Sequence, residues 1–405
     1  MHLYELPLIF VLVGLVLYVV LAGADFGAGL WQLLAGGGAA GERVRDHAHE
    51  SMAPVWEANH VWLIFVLTVT WTAYPSAFAS IASTLSIPLF VAAVGIILRG
   101  ATYALRAGAR SDSEQRPIDT VFALSSILTP FALGTMVGAI ASRRVPVGNA
   151  AGHLFSSWTG ATSILVGVLA VATSAYLAAV FLAADAVRHG DRELAESFRM
   201  RALISGAIAG ALAIAGLVVL HSHAHLLYHG LLHGSALAAL VVSILAGVVA
   251  LELVRRGSFE LARYTAALAV AAIVAGWALA QNPTLLPGLS VRAAAAPHDT
   301  LVAVVVAVLA GGVILFPSLA LLFRLVLGGS LDHGGETASR TTPVRVLASA
   351  TTTGLLARAA GACLIAGVGL LTIAEAGWAH AIGVLALFAF MACGFLAAAT
   401  PSQYS

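Results

Sequence analysis

A carboxylate, an amide, an imidazole and two indoles fall together in Trp56-Glu57-Ala58-Asn59-His60-Val61-Trp62, where a polar stretch gives way to an apolar one. On a helix, residues 56 and 60, and 59 and 62, are neighbours on one face. Ionisable groups just inside a membrane are costly and are usually kept for proton relays, ion paths or ligands. Glu57 has a plainer reading, since an acid in the first turn of a helix favours the positive end of its dipole. Trp56 and Trp62 have one too, as interfacial belt residues. Neither accounts for His60, which lies within an apolar segment and is the one serious in-chain candidate for an axial haem ligand.

A second site is Gly23-Ala24-Asp25-Phe26-Gly27-Ala28-Gly29. Asp25 reads either as a carboxylate at a proton or ligand inlet, or as a helix-end acid bonded to nearby backbone. The glycines allow close approach of another helix, or local unwinding. Arg99 is expected to close a later span at the same depth. It either snorkels or pairs with Asp25 or Glu57. Asp185 ends a further span in the same way, and a helix-end role suits it. His221, His225, His229 and His233 follow an i, i+4 series, a spacing that can chelate a metal. No carboxylate or Cys accompanies them and the stretch reads as a turn between spans, so no metal is assigned. Walker, GxSxG, HExxH and CxxC patterns are absent, which argues against an ATPase, a hydrolase or an iron–sulfur protein.

The elements that must position these residues are apolar helices. The 405 residues are 60% hydrophobic and 10% charged, with mean hydropathy +0.96, against about 25% charged in a soluble domain. The first apolar run lacks a basic leader and continues into a long span, so it reads as a span and not as a cleaved signal. Spans of about 20 residues are expected at 6–27, 56–74, 77–98, 118–141, 160–184, 202–222, 232–254, 262–281, 299–323, 355–374 and 380–399. Every basic residue is Arg, and 17 of the 20 fall in alternate connections. The positive-inside rule then puts the N-terminus outside and the C-terminus inside the bacterial cytoplasmic membrane. The net charge of +1 gives no reason to expect nucleic acid. Cys363 and Cys393 form no pattern. The first eight spans divide into two parallel sets of four, each with a short hairpin between its second and third members. The expected fold is an all-α polytopic membrane protein of two four-helix bundles and a peripheral helix, with a C-terminal helix pair beyond. That makes about eleven transmembrane helices. The expected segments are a membrane domain at 1–328, a linker at 329–354 and the extra pair at 355–405. Physics alone stops at a proton or small-molecule path, or a helper subunit of a larger complex.

Pro54-Val55-Trp56-Glu57-Ala58-Asn59-His60-Val61-Trp62-Leu63-Ile64 resembles subunit II of the cytochrome bd quinol oxidase family. The glycine-set Asp25, Leu98-Arg99-Gly100-Ala101, Thr129-Pro130-Phe131-Ala132-Leu133-Gly134 and Gln281-Asn282-Pro283-Thr284-Leu285-Leu286-Pro287 continue that pattern in order, to about residue 328. The resemblance implies a heterodimer with subunit I, which carries haem b and haem d and oxidises quinol. It implies that subunit II supports assembly and lines a cytoplasmic proton path through Glu57 and Asp25. It places Trp56, Asn59, Trp62 and Arg99 at the subunit interface or near the haems, and makes His60 their polar neighbour there. Lipid, quinone and a small accessory subunit are further expected partners. The helix pair and the histidine run lie outside the family pattern. A rival reading from the paired bundles is a secondary transporter; a third is a pure scaffold.

Overall fold

The computed structural model describes residues 2–52, 56–108, 112–327, 350–373 and 377–399. Nearly all of this is helix, as apolar segments require when no water is at hand for backbone groups. The first helix, α1 (Leu6–Leu33), has a proline in its first turn, where the missing N–H costs nothing. It runs six residues past the expected end at 27, so Asp25 sits inside an unbroken helix, not at its terminus.

The stretch after α1 was expected to be a loop and is a helix, α2 (Gly38–Met52). Gly36 and Gly38, both at positive φ, turn the chain into it. Its buried residues Gly41, Val44, Ala48 and Met52 recur every three or four positions, the stripe of a helix lying on a surface. Next come α3 (Trp56–Ala73), α4 (Pro75–Thr84) and α5 (Ser86–Gly108). The span expected at 77–98 is therefore two helices. Pro88 explains the break, because it offers no N–H to the Thr84 carbonyl and its ring crowds that oxygen. The membrane-length helix is Ser86–Arg106, which moves Arg99 from a span end to a span interior.

The chain continues through α6 (Asp112–Ala141), α7 (Ala161–Arg188), α8 (Arg192–His223), α9 (His225–Leu231), α10 (Gly234–Arg255) and α11 (Phe259–Gln281). The histidine run, expected as a turn, thus straddles two helices. A small antiparallel pair, β1 (Thr284–Leu286) and β2 (Leu289–Ser290), leads into α12 (Val291–Ala294) and α13 (His298–Leu327). Among the described residues, seven helices are long and apolar enough to cross a membrane: α1, α5, α6, α7, α8, α10 and α11. Shorter apolar stretches lie in α3, α13 and two later helices.

Residues 1–330 form one compact unit. Within it α1, α3, α5 and α6 make one bundle and α7, α8, α10 and α11 the other, joined where α1 and α6 pack on α7. Helix α13 flanks α1 and α3. The bundles share a specific device. Tyr74 breaks α3 from α4 at φ −136°, ψ 61°, and Ala224 breaks α8 from α9 at φ −145°, ψ 54°. The two breaks lie 150 residues apart. At the same offset the stacked Trp71–Phe78 pair matches the His221–Tyr228 ring pair. The two four-helix sets are therefore repeats in parallel, in register at the side-chain level. Alanines and Leu177, Val180 and Leu182 fill the seam between α1 and α7. Tyr74, Leu85, Val145, Leu286 and Val291 close the opposite end from α2. Residues 331–405 form a second unit, a helical hairpin of α14 (Ala350–Ile373) and α15 (Gly377–Ala399) in which Gly367 lies against Leu387. Of the linker expected at 329–354, residues 329–349 lie outside the described residues, and 350–354 belong to α14, which starts earlier than the 355 expected.

Candidate functional site

Asp25 of α1 and Arg99 of α5 form an ion pair with both side chains fully buried. They lie about 12 and 14 Å from the ends of their helices, hence at one depth. Arg99 Nη2 donates to Asp25 Oδ1 at 2.6 Å and to the Asp25 carbonyl at 2.7 Å, while Nε donates to Oδ2 at 3.1 Å. Nη1 donates to Ser126 Oγ of α6, and the Tyr103 hydroxyl donates to Oδ1 at 3.3 Å. The guanidinium rests 4.1 Å from the Phe122 ring centre, with Phe26 at 5.3 Å and Tyr103 at 5.8 Å. A buried pair recovers its desolvation cost only with this density of hydrogen bonds. Asp25 and Arg99 therefore pair as one of the sequence alternatives had it.

The glycines around Asp25 make the pair possible. A Cβ on Gly27 overlaps the Ser174 carbonyl of α7, and one on Gly29 overlaps Ser126 Oγ and crowds Arg99 Nη1. The motif thus serves close approach on two sides of α1, not unwinding.

An aromatic column leads from this pair toward α2. His49 stacks on Tyr103 (centroids 5.4 Å apart), Tyr103 on Trp56 (5.0 Å), and Trp56 meets the His60 ring edge-on (6.1 Å). His60 then faces Phe26 (5.7 Å) and Tyr18 (6.0 Å). Beside the column, Arg106 holds Asp119 at 2.8 Å and approaches Asp46 at 3.7 Å. A narrow crevice between His49, Tyr103, Arg106 and Asp119 opens here. Burial pushes the His49 imidazole below its ordinary value, and the Arg106 charge adds to this.

Several predicted residues face inward. Asn59 donates to the Leu21 carbonyl at 3.3 Å and so ties α3 to α1. Trp62 packs with Tyr18, Ala22 and Phe26. His60 is buried; neither ring nitrogen makes a well-formed hydrogen bond, and the Trp56 carbonyl gives only a weak contact. Asn59, His60, Trp62 and Arg99, expected at the subunit interface or near the haems, are buried within this chain, and Trp56 is half-exposed. Glu57 lies in the first turn of α3, and its side chain is outside the described residues. Asp185 accepts from Ser51 at 2.6 Å, part of a clasp in which Arg43 of α2 also meets Asp191 and Glu193. Sequence reasoning missed Tyr103, Ser126, Tyr18 and His49. For Tyr103 a signal existed, four residues beyond Arg99 on the same helix face; Ser126 had none short of tertiary structure.

Residues 3–326 match the family described as cytochrome bd terminal oxidase subunit II. The chain belongs to that family. It is a multi-pass membrane protein. A cytochrome bd ubiquinol oxidase subunit 2 of Bacillus subtilis (strain 168) is 28% identical over 169 residues, which is 41% of this chain and 48% of that relative. The alignment thus spans about half of the relative's length. The structure of bd oxidase from Geobacillus thermodenitrificans superposes with a TM-score of 0.62 over 81% of this chain and 99% of the compared chain. At 24% identity that likeness is one of fold, and it matches the paired bundles of this subunit II chain.

Proposed function

We propose that this chain is subunit II of a membrane quinol oxidase that oxidises quinol, reduces oxygen to water and takes protons for that water from the cytoplasm. The observation that carries this reading is the placement of polar groups. Asp25, Arg99, Tyr103, His49 and the start of α3 gather at the end of the first unit where, among the described residues, Arg43, Arg45, Arg106, Arg188, Arg192 and Arg255 also lie. That end is taken as cytoplasmic by the positive-inside rule. At the positions 150 residues further on, the second bundle has Ala175, Val249 and Leu253 in place of Asp25, Arg99 and Tyr103, so the proton path is assigned to the first.

Glu57, in the first turn of α3, is the first proton acceptor on the cytoplasmic side. Asp25 stands next on the path, and Arg99 and Tyr103 hold its carboxylate in place. A proton reaching Asp25 loosens its bonds to Arg99, so transfer and local rearrangement are coupled there.

Haem does not fit His60, the axial-ligand candidate of the sequence. An axial histidine must present a ring nitrogen to the porphyrin, and both nitrogens of His60 are enclosed among Tyr18, Phe26 and Trp56. Haem b and haem d are therefore assigned to subunit I, where they supply electron transfer and oxygen chemistry. A transporter would need helices broken at mid-membrane in both halves, whereas the breaks at Tyr74 and Ala224 lie at helix ends.

The test is Glu57→Gln in an assembled, haem-replete complex. The expected result is oxygen consumption that falls and loses its pH dependence. Unchanged consumption across pH removes Glu57 from the path.

A further inference from the structure

The two repeats secure their helix breaks by different means. In the first, Pro75 follows the break, and the Tyr74 hydroxyl donates to the Tyr4 carbonyl at 2.7 Å. In the second, Ala224 has no hydroxyl to offer, and His225 stands where the first repeat has Pro75. Imidazoles flank this break instead. His221 is in the last turn of α8 and His225 is the first residue of α9, and both are exposed.

The geometry points to a divalent-cation site, of zinc, copper or nickel character, bridging His221 and His225 across the break. Two imidazoles on one tetrahedral zinc, with Zn–N bonds of about 2.0–2.1 Å, place their ring centroids about 5.2 Å apart. The His221 and His225 centroids are 5.1 Å apart. His229 follows at 5.8 Å from His225, stacked on it. No three His, Cys, Asp or Glu side chains converge on one point among the described residues. The pair thus supplies two ligands, water fills the remaining positions, and His229 becomes a third by a change of rotamer. Imidazole nitrogens suit this class of metal and not magnesium or calcium. His223 and His233 are already engaged: their Nδ1 atoms contact the Val219 and His229 carbonyls at 3.3 and 2.6 Å.

The site has a mechanical consequence. Helix α9 packs on α11 through Gly230, where a Cβ would crowd the Ala280 backbone at 2.5 Å. A metal joining His221 to His225 fastens α8 to α9, and through α9 to the end of α11. It does for the second repeat what Pro75 and the Tyr74 hydroxyl do for the first.

The experiment uses the complete complex, purified without a polyhistidine tag, stripped with chelator and titrated with Cu²⁺ and separately with Zn²⁺. The expected result is one metal per chain, a Cu²⁺ spin-resonance spectrum split by imidazole nitrogens, and slower amide exchange over residues 221–231 once Zn²⁺ is bound. His225→Ala is expected to weaken binding by about ten-fold or more, and His223→Ala to leave it unchanged. The proposal is overturned if the His221→Ala/His225→Ala variant binds as the wild type does, or if the wild type takes up no metal beyond that variant. It is also overturned if the bound copper shows no nitrogen splitting.

Discussion

At the scale of single residues, the central fact is a pair of opposite charges with no access to water. Replacing only one partner strands the other charge, which costs about 3–5 kcal/mol, while replacing both with apolar side chains of similar size is often neutral. Asp25→Leu alone should therefore lower the melting temperature and yield of the complex. Asp25→Leu with Arg99→Met should recover most of both without restoring proton-coupled activity. A double variant as unstable as the single one would show that Ser126 and Tyr103 depend on the charges and not on the packing. His49 gives a prediction in pH. Its folded value lies below the ordinary 6.5 because burial penalises the cation. Undocked α2 therefore takes up the proton first. Docking is fully stabilised above that ordinary value and weakens as pH falls through it, by at most about ten-fold per pH unit for one proton. Amide protection over 44–52, corrected for the intrinsic pH dependence of exchange, should fall between about pH 7.5 and about pH 5.5, and His49→Gln should flatten that change. Asp46, Arg106, Asp119 and Arg99 face the same imidazole, so a residual slope in His49→Gln would assign the effect to the carboxylates. Asp191 is held below the ordinary carboxylate range by the Leu194 N–H and then by Arg43. Its contribution is lost only in stronger acid and does not mimic the histidine.

At the scale of elements, glycine spacing and proline position decide how helices meet. Gly27 lies against the Ser174 backbone, and Gly210 of α8 has nothing within 4 Å of where a Cβ would stand. Gly27→Ala should cost about 1–3 kcal/mol by overpacking. Gly210→Ala should gain about 0.5–1 kcal/mol from helix propensity alone. Thermal unfolding of the two variants checks the contrast, and equal effects would mean that the α1–α7 approach is not tight. These cases also show what was legible in the sequence. Asp25 and Arg99 could be placed at one depth by counting spans, and their pairing was one of three stated options for Arg99, beside snorkelling and pairing with Glu57. The surface helix α2 was not legible, because its stripe of Gly41, Val44, Ala48 and Met52 is mostly small residues in a charged background. Nor was the break at Leu85. Pro88 lies in an apolar run that reads as one span, and the loss of a single hydrogen bond is invisible to hydropathy. The inward turn of Asn59, His60 and Trp62 was hidden for another reason. Amphipathic patterning cannot tell the core face of a helix from a partner face when lipid is the solvent on every side.

At the scale of the whole molecule, two parallel repeats have diverged in chemistry while keeping their geometry. The first holds the ion pair, the aromatic column and the crevice; the second has Ala175, Val249 and Leu253 at the positions 150 residues beyond Asp25, Arg99 and Tyr103 and carries histidines at its break. Such division makes sense if one bundle does the chemistry and the other holds the first in shape. The family match ends at 326 and the first compact unit at 330, so every residue of the candidate site precedes the hairpin. Its apolar side chains Ile365, Trp378, Leu385 and Phe388 are exposed within that unit, which suits a lipid-facing or partner-covering role in place of a small accessory subunit. Truncation of residues 340–405 tests this directly. Oxygen consumption per haem should be unchanged, because no site residue is removed. The yield of assembled complex and its resistance to detergent should fall, as expected of a hairpin whose role is to cover apolar surface. Unchanged yield and detergent resistance would mean that α14 and α15 cover nothing the complex needs. Lost consumption per haem would mean that the hairpin reaches the site after all.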